Sequence, residues 1–294
     1  HFCHVRGWWL QMRPETGDRD VELRREDIAD SARGMGIERG DTVLFHSSLS
    51  SMGTVLGGPD TVIDGFLDAV GPEGTVAVPT LCNWEPNEQH LVFERWDPET
   101  SPSFVGAITE AMRARPEAIR SDHATHSVAA IGARAEKLTA NHGAGGPRPG
   151  QFSETAFAHQ SPWQRLVDWN AAYCFIGVTF RVCTMVHYVE AVLAERMIQR
   201  ADPEDRERLL DELEGWMKPG LFSRIRIEDR EVIEEMLAAR GIVNYGRIGS
   251  ATFTCARARP MVREWIAIIE DNPDMWLPLD YLNWAGSAAY RGGE

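Results

Sequence analysis

Apolar and polar positions along the chain separate into short continuous apolar runs and longer stretches with helical spacing. DTVLFH (41–46), GTVAVPT (74–80), SVAAIG (127–132) and AAYCFIGV (171–178) are apolar at nearly every position. That is the pattern of strands buried on both faces of a sheet. Between them, helical spacing predicts helices over 19–36 (stopped by Gly-Met-Gly), from Pro59 to about Val70, over 106–116, over 134–142 and over 183–198. Ser161 and Pro162 supply an N-cap and a first-position proline for another helix, 161–169. Strands alternating with helices indicate an α/β sheet covered on both sides.

The last third has a different texture. Acidic helices are expected at 202–216 and 230–241, a strand or strand pair at 242–259 and a further helix at 260–271. The expected division is therefore a core over residues 19–200 and a mostly helical C-terminal extension, 201–294, packed on it. Residues 1–18 are expected outside the fold, disordered or expression-derived. The first twelve, HFCHVRGWWLQM, are too short and too broken to be a secretory signal. Two long loops, 81–103 and 141–160, interrupt the pattern. The first, rich in tryptophan, proline and acids, exceeds a plain connection and points to binding.

Composition narrows the function classes. The 294 residues are 43% hydrophobic and 25% charged, the balance of a globular protein. No apolar run approaches the roughly 20 residues that span a bilayer. The net charge of −14 and the lack of a basic stripe speak against nucleic acid. An acidic surface gathers cationic ligands, although it also serves solubility alone. Five widely spread cysteines, Cys3, Cys82, Cys174, Cys183 and Cys255, with no CxxC pair, read as reduced thiols in a cytoplasm-like compartment.

Three constellations carry chemistry. HSSLSSMGTVLGGPDT (46–61) joins a strand to a helix through small residues. Such a loop binds a phosphate, presents a nucleophile, or simply turns; it is neither a Walker motif nor GxGxxG. SDHATHS (121–127) holds His123 and His126 three apart beside Asp122. This is a weak metal-ligand spacing that needs a third ligand such as His46, Asp97 or His187, and a plain polar loop is the competing reading. MVHYVE places His187 and Glu190 three apart on one helix face. A carboxylate beside an imidazole fixes its tautomer and raises its basicity, as a general base requires; the alternative is a core histidine with a satisfied partner. GxSxG and HExxH are absent, which disfavours α/β-hydrolases and the common zinc peptidases.

Taken together, 46–80, WDPETSPSFVGAITEAMR (96–113), IRSDHATHSVAAIG (119–132), SPWQRLV (161–167) and VCTMVHYVE (182–190) resemble the aminoglycoside 3-N-acetyltransferase family, in its order and spacing. The resemblance runs from about Asp41 to Arg196. It implies a three-layer α/β/α sandwich around a largely parallel or mixed sheet, with the site between loops at one end. It also implies acetyl-CoA-dependent transfer to an amine of an aminoglycoside, with no metal. His187 and Glu190 match the family's catalytic histidine and its acid. His46, Ser47, Ser48, Leu49, Ser50, Gly57, Gly58 and Ser127 match the coenzyme A site.

On that reading His187 takes the proton, and His46 orients the acceptor amine or acts as a second base. Backbone N–H groups or hydroxyls of Ser47 and Ser48 serve the tetrahedral intermediate, and the coenzyme phosphates rest on the helix beginning near Pro59. Glu94, Asp97, Asp122 and His123 are expected to meet the cationic acceptor, and Trp84 and Trp96 to stack on its sugars. The family often has Asn-Pro where this chain has His123-Ala124. Two other classes stay open at this point. One is a metal-dependent hydrolase built from His46, His123, His126 and His187. The other is a coenzyme or aminoglycoside binder without turnover. Acetylation of a non-aminoglycoside amine is a variant of the first reading. The sequence leaves the oligomeric state open.

Overall fold

The computed structural model describes residues 13–82, 91–142, 156–216 and 229–289. In chain order the strands are β1 (Glu22–Leu23), β2 (Thr42–Ser47), β3 (Thr54–Val55), β4 (Thr75–Pro79), β5 (Ile119–Arg120), β6 (Val128–Gly132), β7 (Ala172–Ile176), β8 (Val243–Ile248) and β9 (Ala251–Arg257). The helices are α1 (Arg25–Gly34), α2 (Pro59–Val70), α3 (Ala107–Ala114), α4 (Ala135–Thr139), α5 (Pro162–Asp168), α6 (Met185–Arg200), α7 (Arg206–Trp216), α8 (Asp229–Ala239), α9 (Ala258–Asp271) and α10 (Leu279–Ala289). Single helical turns stand at Val92–Arg95 and Pro273–Trp276, and 3-10 turns at Leu49–Ser51 and Phe180–Val182.

Seven strands form one sheet in the order β5-β6-β4-β2-β7-β9-β8. β4, β2 and β7 run parallel at its centre; β6 and β9 flank them antiparallel. Alternate residues of each central strand point to opposite faces, so an all-apolar strand feeds two cores. Val43, Phe45, Val76, Val78, Cys174 and Ile176 pack beneath α1, α2 and α3. Leu44, Ala77, Ala130, Tyr173 and Phe175 face the second core, built with α4, α5, α6 and α9. The three-layer α/β/α sandwich with a mixed sheet is therefore present. The chain leaves β2 for β4 on one side, while β7 pairs on the other. Open α/β sheets bind their ligands at the carboxyl end of such a switch point.

Three expectations change. The helix expected over 19–36 begins only at Arg25, because Glu22 and Leu23 pair in parallel with Thr54 and Val55. Residues 13–18 belong to the fold. The Glu15 N–H donates to the Gly177 carbonyl at 2.9 Å, and its carboxylate accepts the Thr252 N–H at 2.7 Å. The chain after residue 200 is more than an extension packed on a finished core, since β9 completes the hydrogen bonding of β7. Without β9, β7 would expose an apolar edge. Among the described residues no helix is long and apolar enough to cross a membrane.

Candidate active site

The carboxyl ends of β2, β4 and β7 meet the amino end of β6, and the predicted residues divide there between the two faces of the sheet. His46 and Ser47 are consecutive on β2, so they point to opposite sides.

On the face of α6, His187 and Glu190 stand one helical turn apart. The His187 Nδ1–H donates to Glu190 Oε2 at 2.9 Å. The Glu190 side chain is fully buried, whereas that of His187 is 19% exposed. The carboxylate holds the ring with Nδ1 protonated, which leaves the Nε2 lone pair as the basic atom. Phe157 and His126 pack against the ring, each with centroids 5.6 Å away.

His46 lies on the same face with a different chemistry. Its ring stacks on Phe175 at 5.2 Å, and Nε2 stands 2.8 Å from the Tyr173 hydroxyl. Burial pushes its pKa down to about 3, so the imidazole is neutral. The Tyr173 oxygen accepts the Met185 N–H at 3.3 Å and also pairs with Cys183, whose buried thiol stays protonated with a pKa pushed up to about 12. His46 is thus a buried neutral imidazole that shares a hydrogen bond with the Tyr173 hydroxyl, and its low pKa argues against the expected second base.

His123, expected against the acceptor, is instead 2% exposed. Its Nδ1 accepts the N–H groups of Thr125 (3.3 Å) and His126 (3.2 Å), and its ring stacks on His142 at 4.7 Å. The loop back into β6 folds over the ring and closes it off. Burial and neighbouring imidazoles hold His123 and His126 well below the ordinary histidine range. The described residues contain no group of three or more His, Cys, Asp or Glu side chains placed to hold a metal.

On the opposite face a cavity of about 470 Å³ opens beside the end of β2. Residues 47–50, 53–55, 106–109 and Arg19 line it. Ser47, Ser48, Leu49 and Ser50 are therefore gathered as expected on sequence. The Ser47 Oγ is buried there with no hydrogen-bond partner, while the Ser48 N–H is spent on the Ile176 carbonyl at 2.9 Å. Gly57 and Gly58 lie outside the lining. Thr61 Oγ1 fills the space a Cβ at Gly57 would take, and the helix start that borders the cavity is that of α3, not α2. Ser127 is fully buried; its hydroxyl donates to the Thr80 carbonyl at 2.9 Å and sits 3.1 Å from the Arg120 Nε.

Arg120 was not singled out by its sequence context. Its guanidinium donates to the carbonyls of Thr80 (2.6 Å) and Ser101 (2.5 Å) and stacks on the Trp96 ring at 4.4 Å. It thereby fastens the acidic loop to the end of β4. The Trp96 indole donates to the Asp122 carboxylate at 2.7 Å. Asp97 is exposed, its pKa lowered by the backbone N–H groups of Thr100 and Glu99. Glu94 and Asp122 are likewise exposed on this rim; Trp84 lies outside the described residues. From the C-terminal third, α8 clamps the turn that launches α6. Glu234 accepts the Phe180 N–H at 2.8 Å, Glu231 accepts from Thr179 (2.8 Å) and Arg181 (3.1 Å), and Arg230 donates to the Arg181 carbonyl at 3.3 Å.

A buried acid holding a mostly buried imidazole stands on one face of the sheet and a cavity opens on the other, both at the switch point of an α/β/α sandwich. The sequence profile of the aminoglycoside 3-N-acetyltransferases matches residues 44–270, and the chain belongs to that family. Aminoglycoside N(3)-acetyltransferase VII of Streptomyces paromomycinus is 29% identical over 279 residues, covering 86% of this chain and 93% of that protein. Among solved structures, the aminoglycoside acetyltransferase AAC(3)-Xa superposes with a TM-score of 0.65 at 27% identity, covering 92% of this chain and 98% of that one. AAC-IIIb in binary complex with CoASH superposes with a TM-score of 0.66 at 22% identity, covering 85% and 97%, a likeness of fold.

Proposed function

We infer that this protein transfers the acetyl group of acetyl-CoA to the 3-amino group of an aminoglycoside. The observation that carries the reading is the 2.9 Å His187–Glu190 pair within the stretch that matches the family. The coenzyme supplies the acetyl group as a thioester. The cavity fits such a ligand: the buried Ser47 Oγ lacks a protein partner, the lining has no carboxylate, and the first turn of α3 presents N–H groups.

His187 Nε2 accepts the proton that the acceptor's ammonium group must lose before it attacks. Glu190 stabilises the imidazolium so formed. The amine nitrogen bonds to the acyl carbon and gives up a second proton, the carbon–sulfur bond breaks, and one of the two protons leaves with the departing thiol while the other passes to solvent. Products are the N-acetylated amine, free CoA and one proton. The neutral His46 imidazole, its Nε2 engaged by the Tyr173 hydroxyl, serves through Nδ1–H as a donor toward the developing oxyanion. The exposed Glu94, Asp97 and Asp122 attract the polycationic acceptor through the acidic rim. Four described cysteines are free thiols, which agrees with the reducing cytoplasm, where acetyl-CoA is available.

The test is thiol release from acetyl-CoA across a panel of aminoglycosides, with and without a chelator. Release that depends on an aminoglycoside and ignores the chelator supports the reading; chelator-sensitive turnover supports a metal-dependent hydrolase instead. The donor role of His46 makes a second prediction. His46→Gln, which keeps a side-chain N–H, should retain more activity than His46→Ala. The alanine variant should lose on the order of 10²-fold in kcat, the cost of one oxyanion donor. Neither should move the pH–rate profile, because a group titrating near 3 contributes no limb to it around neutral pH. A shifted profile in His46→Gln would restore the second-base role.

A further inference from the structure

We propose that Arg19 anchors the phosphates of the coenzyme, so that the turn before β1 forms one wall of the coenzyme site. This rests on the coenzyme reading given above and adds a residue that lies outside the stretch matching the family, 44–270.

Arg19 is the one charged side chain among the described residues lining the 470 Å³ cavity. In a chain of net charge −14, a lone cation on a carboxylate-free wall selects an anion. Its guanidinium makes no hydrogen bond or ion pair with the described residues. The backbone that carries it is fixed nonetheless. The Arg19 carbonyl accepts the Thr54 hydroxyl at 2.8 Å, and the Val21 carbonyl accepts the Thr54 N–H at 2.8 Å. An Asp18 carboxylate oxygen accepts the Asp20 N–H at 3.0 Å, and the Asp18 carbonyl accepts the Val21 N–H at 3.2 Å. Gly53, at φ +109°, lets the two backbones touch; a Cβ there would stand 2.4 Å from the Val21 carbonyl oxygen. The β1–β3 pairing continues the weld through Glu22↔Thr54. The fixed backbone holds this exposed side chain at the cavity, and its planar donors match phosphate oxygens. Across the cavity stand the first turn of α3 and the unpartnered Ser47 Oγ. Both are neutral donors, so Arg19 alone supplies charge.

The test compares acetyl-CoA, acetyl-dephospho-CoA and the phosphate-free S-acetylpantetheine as donors for the full-length wild type, Arg19→Met and Arg19→Lys. Arg19→Met should raise the KM for acetyl-CoA about tenfold, the size of one charge-assisted hydrogen bond. It should leave kcat within about twofold and the KM for S-acetylpantetheine unchanged. Arg19→Lys should recover part of the loss. If the penalty disappears with acetyl-dephospho-CoA, the contact is to the 3′-phosphate; if it persists, the contact is to the pyrophosphate. An unchanged KM for acetyl-CoA in Arg19→Met, or an equal loss with S-acetylpantetheine, overturns the proposal while the coenzyme reading stands. A wild type that uses none of the three thioesters overturns the coenzyme reading and the proposal with it.

Discussion

His187→Ala should lower kcat by about 10²–10⁴-fold, the usual contribution of a positioned general base, and leave coenzyme A binding nearly intact. The two effects separate because the residues that would do each job lie on opposite faces of β2. His187 contacts Glu190, Phe157 and His126 on one side, and none of these lines the cavity on the other. Removing a half-buried ring at the rim of the core also costs little folding free energy compared with emptying a packed position. Steady-state thiol release gives kcat, and a thermal shift with coenzyme A reports binding in the same preparation. Glu190→Gln should fall between wild type and His187→Ala. It keeps an oxygen to accept the Nδ1–H but loses the charge that stabilises imidazolium. Normal turnover in His187→Ala would remove this residue as the base.

The second large effect is loss of stability in mild acid. Burial lowers the pKa of both His46 and His142 to about 3 from the unfolded value of 6.5. A histidine with a depressed folded pKa binds fewer protons folded than unfolded. Its contribution is therefore complete above the unfolded pKa and is lost as the pH falls through it. At about pH 5 each of the two costs about 2 kcal/mol, about 4 kcal/mol together. That figure hardly depends on the folded value, since either imidazole is still neutral there in the native state. His123 and His126 act in the same direction. Against a total stability of about 5–15 kcal/mol, the native state should be close to melting near pH 5. Carboxylates held low by arginines, such as Asp68 beside Arg25 and Glu110 beside Arg113, lose their contribution only at lower pH. The window between about pH 6.5 and 5 thus belongs to the histidines. Urea midpoints measured across it should fall steeply, and His142→Gln should flatten the slope by one histidine's share. A midpoint that stays level down to about pH 5 would mean that these rings are protonated in the folded protein.

The central strands and most helix positions are legible in the sequence because each reflects a short-range regularity. A strand buried on both faces is apolar throughout, as in AYCFI (172–176), and an amphipathic helix repeats every three to four residues. β1, β3 and β5, at two residues each, are too short to carry such a signal. The His187–Glu190 pair was readable for the same reason: i,i+3 residues of a helix share a face wherever the helix is packed. So was the clustering of residues 47–50, which follows from a strand running directly into a 3-10 turn.

Burial and long-range partners were not legible. His46 and Tyr173 are 127 positions apart, and only the pairing of β2 with β7 brings a phenol to that imidazole in a buried setting where it stays neutral. His123 looked like a loop histidine; His142, nineteen positions on, covers it. The placing of Gly57 and Gly58 at the start of α2, and of the Ser127 hydroxyl against Arg120, was likewise not legible. Arg19 reaches the cavity because Gly53 lets one backbone lie on another. The sequence by itself determined the alternation of strands and helices and the pairing of His187 with Glu190, since both depend on neighbours within one turn of chain. The tertiary structure alone decided which polar groups are desolvated, which partners each histidine meets, and which residues line the cavity. Those properties are set by groups that the chain brings together only when the sheet closes.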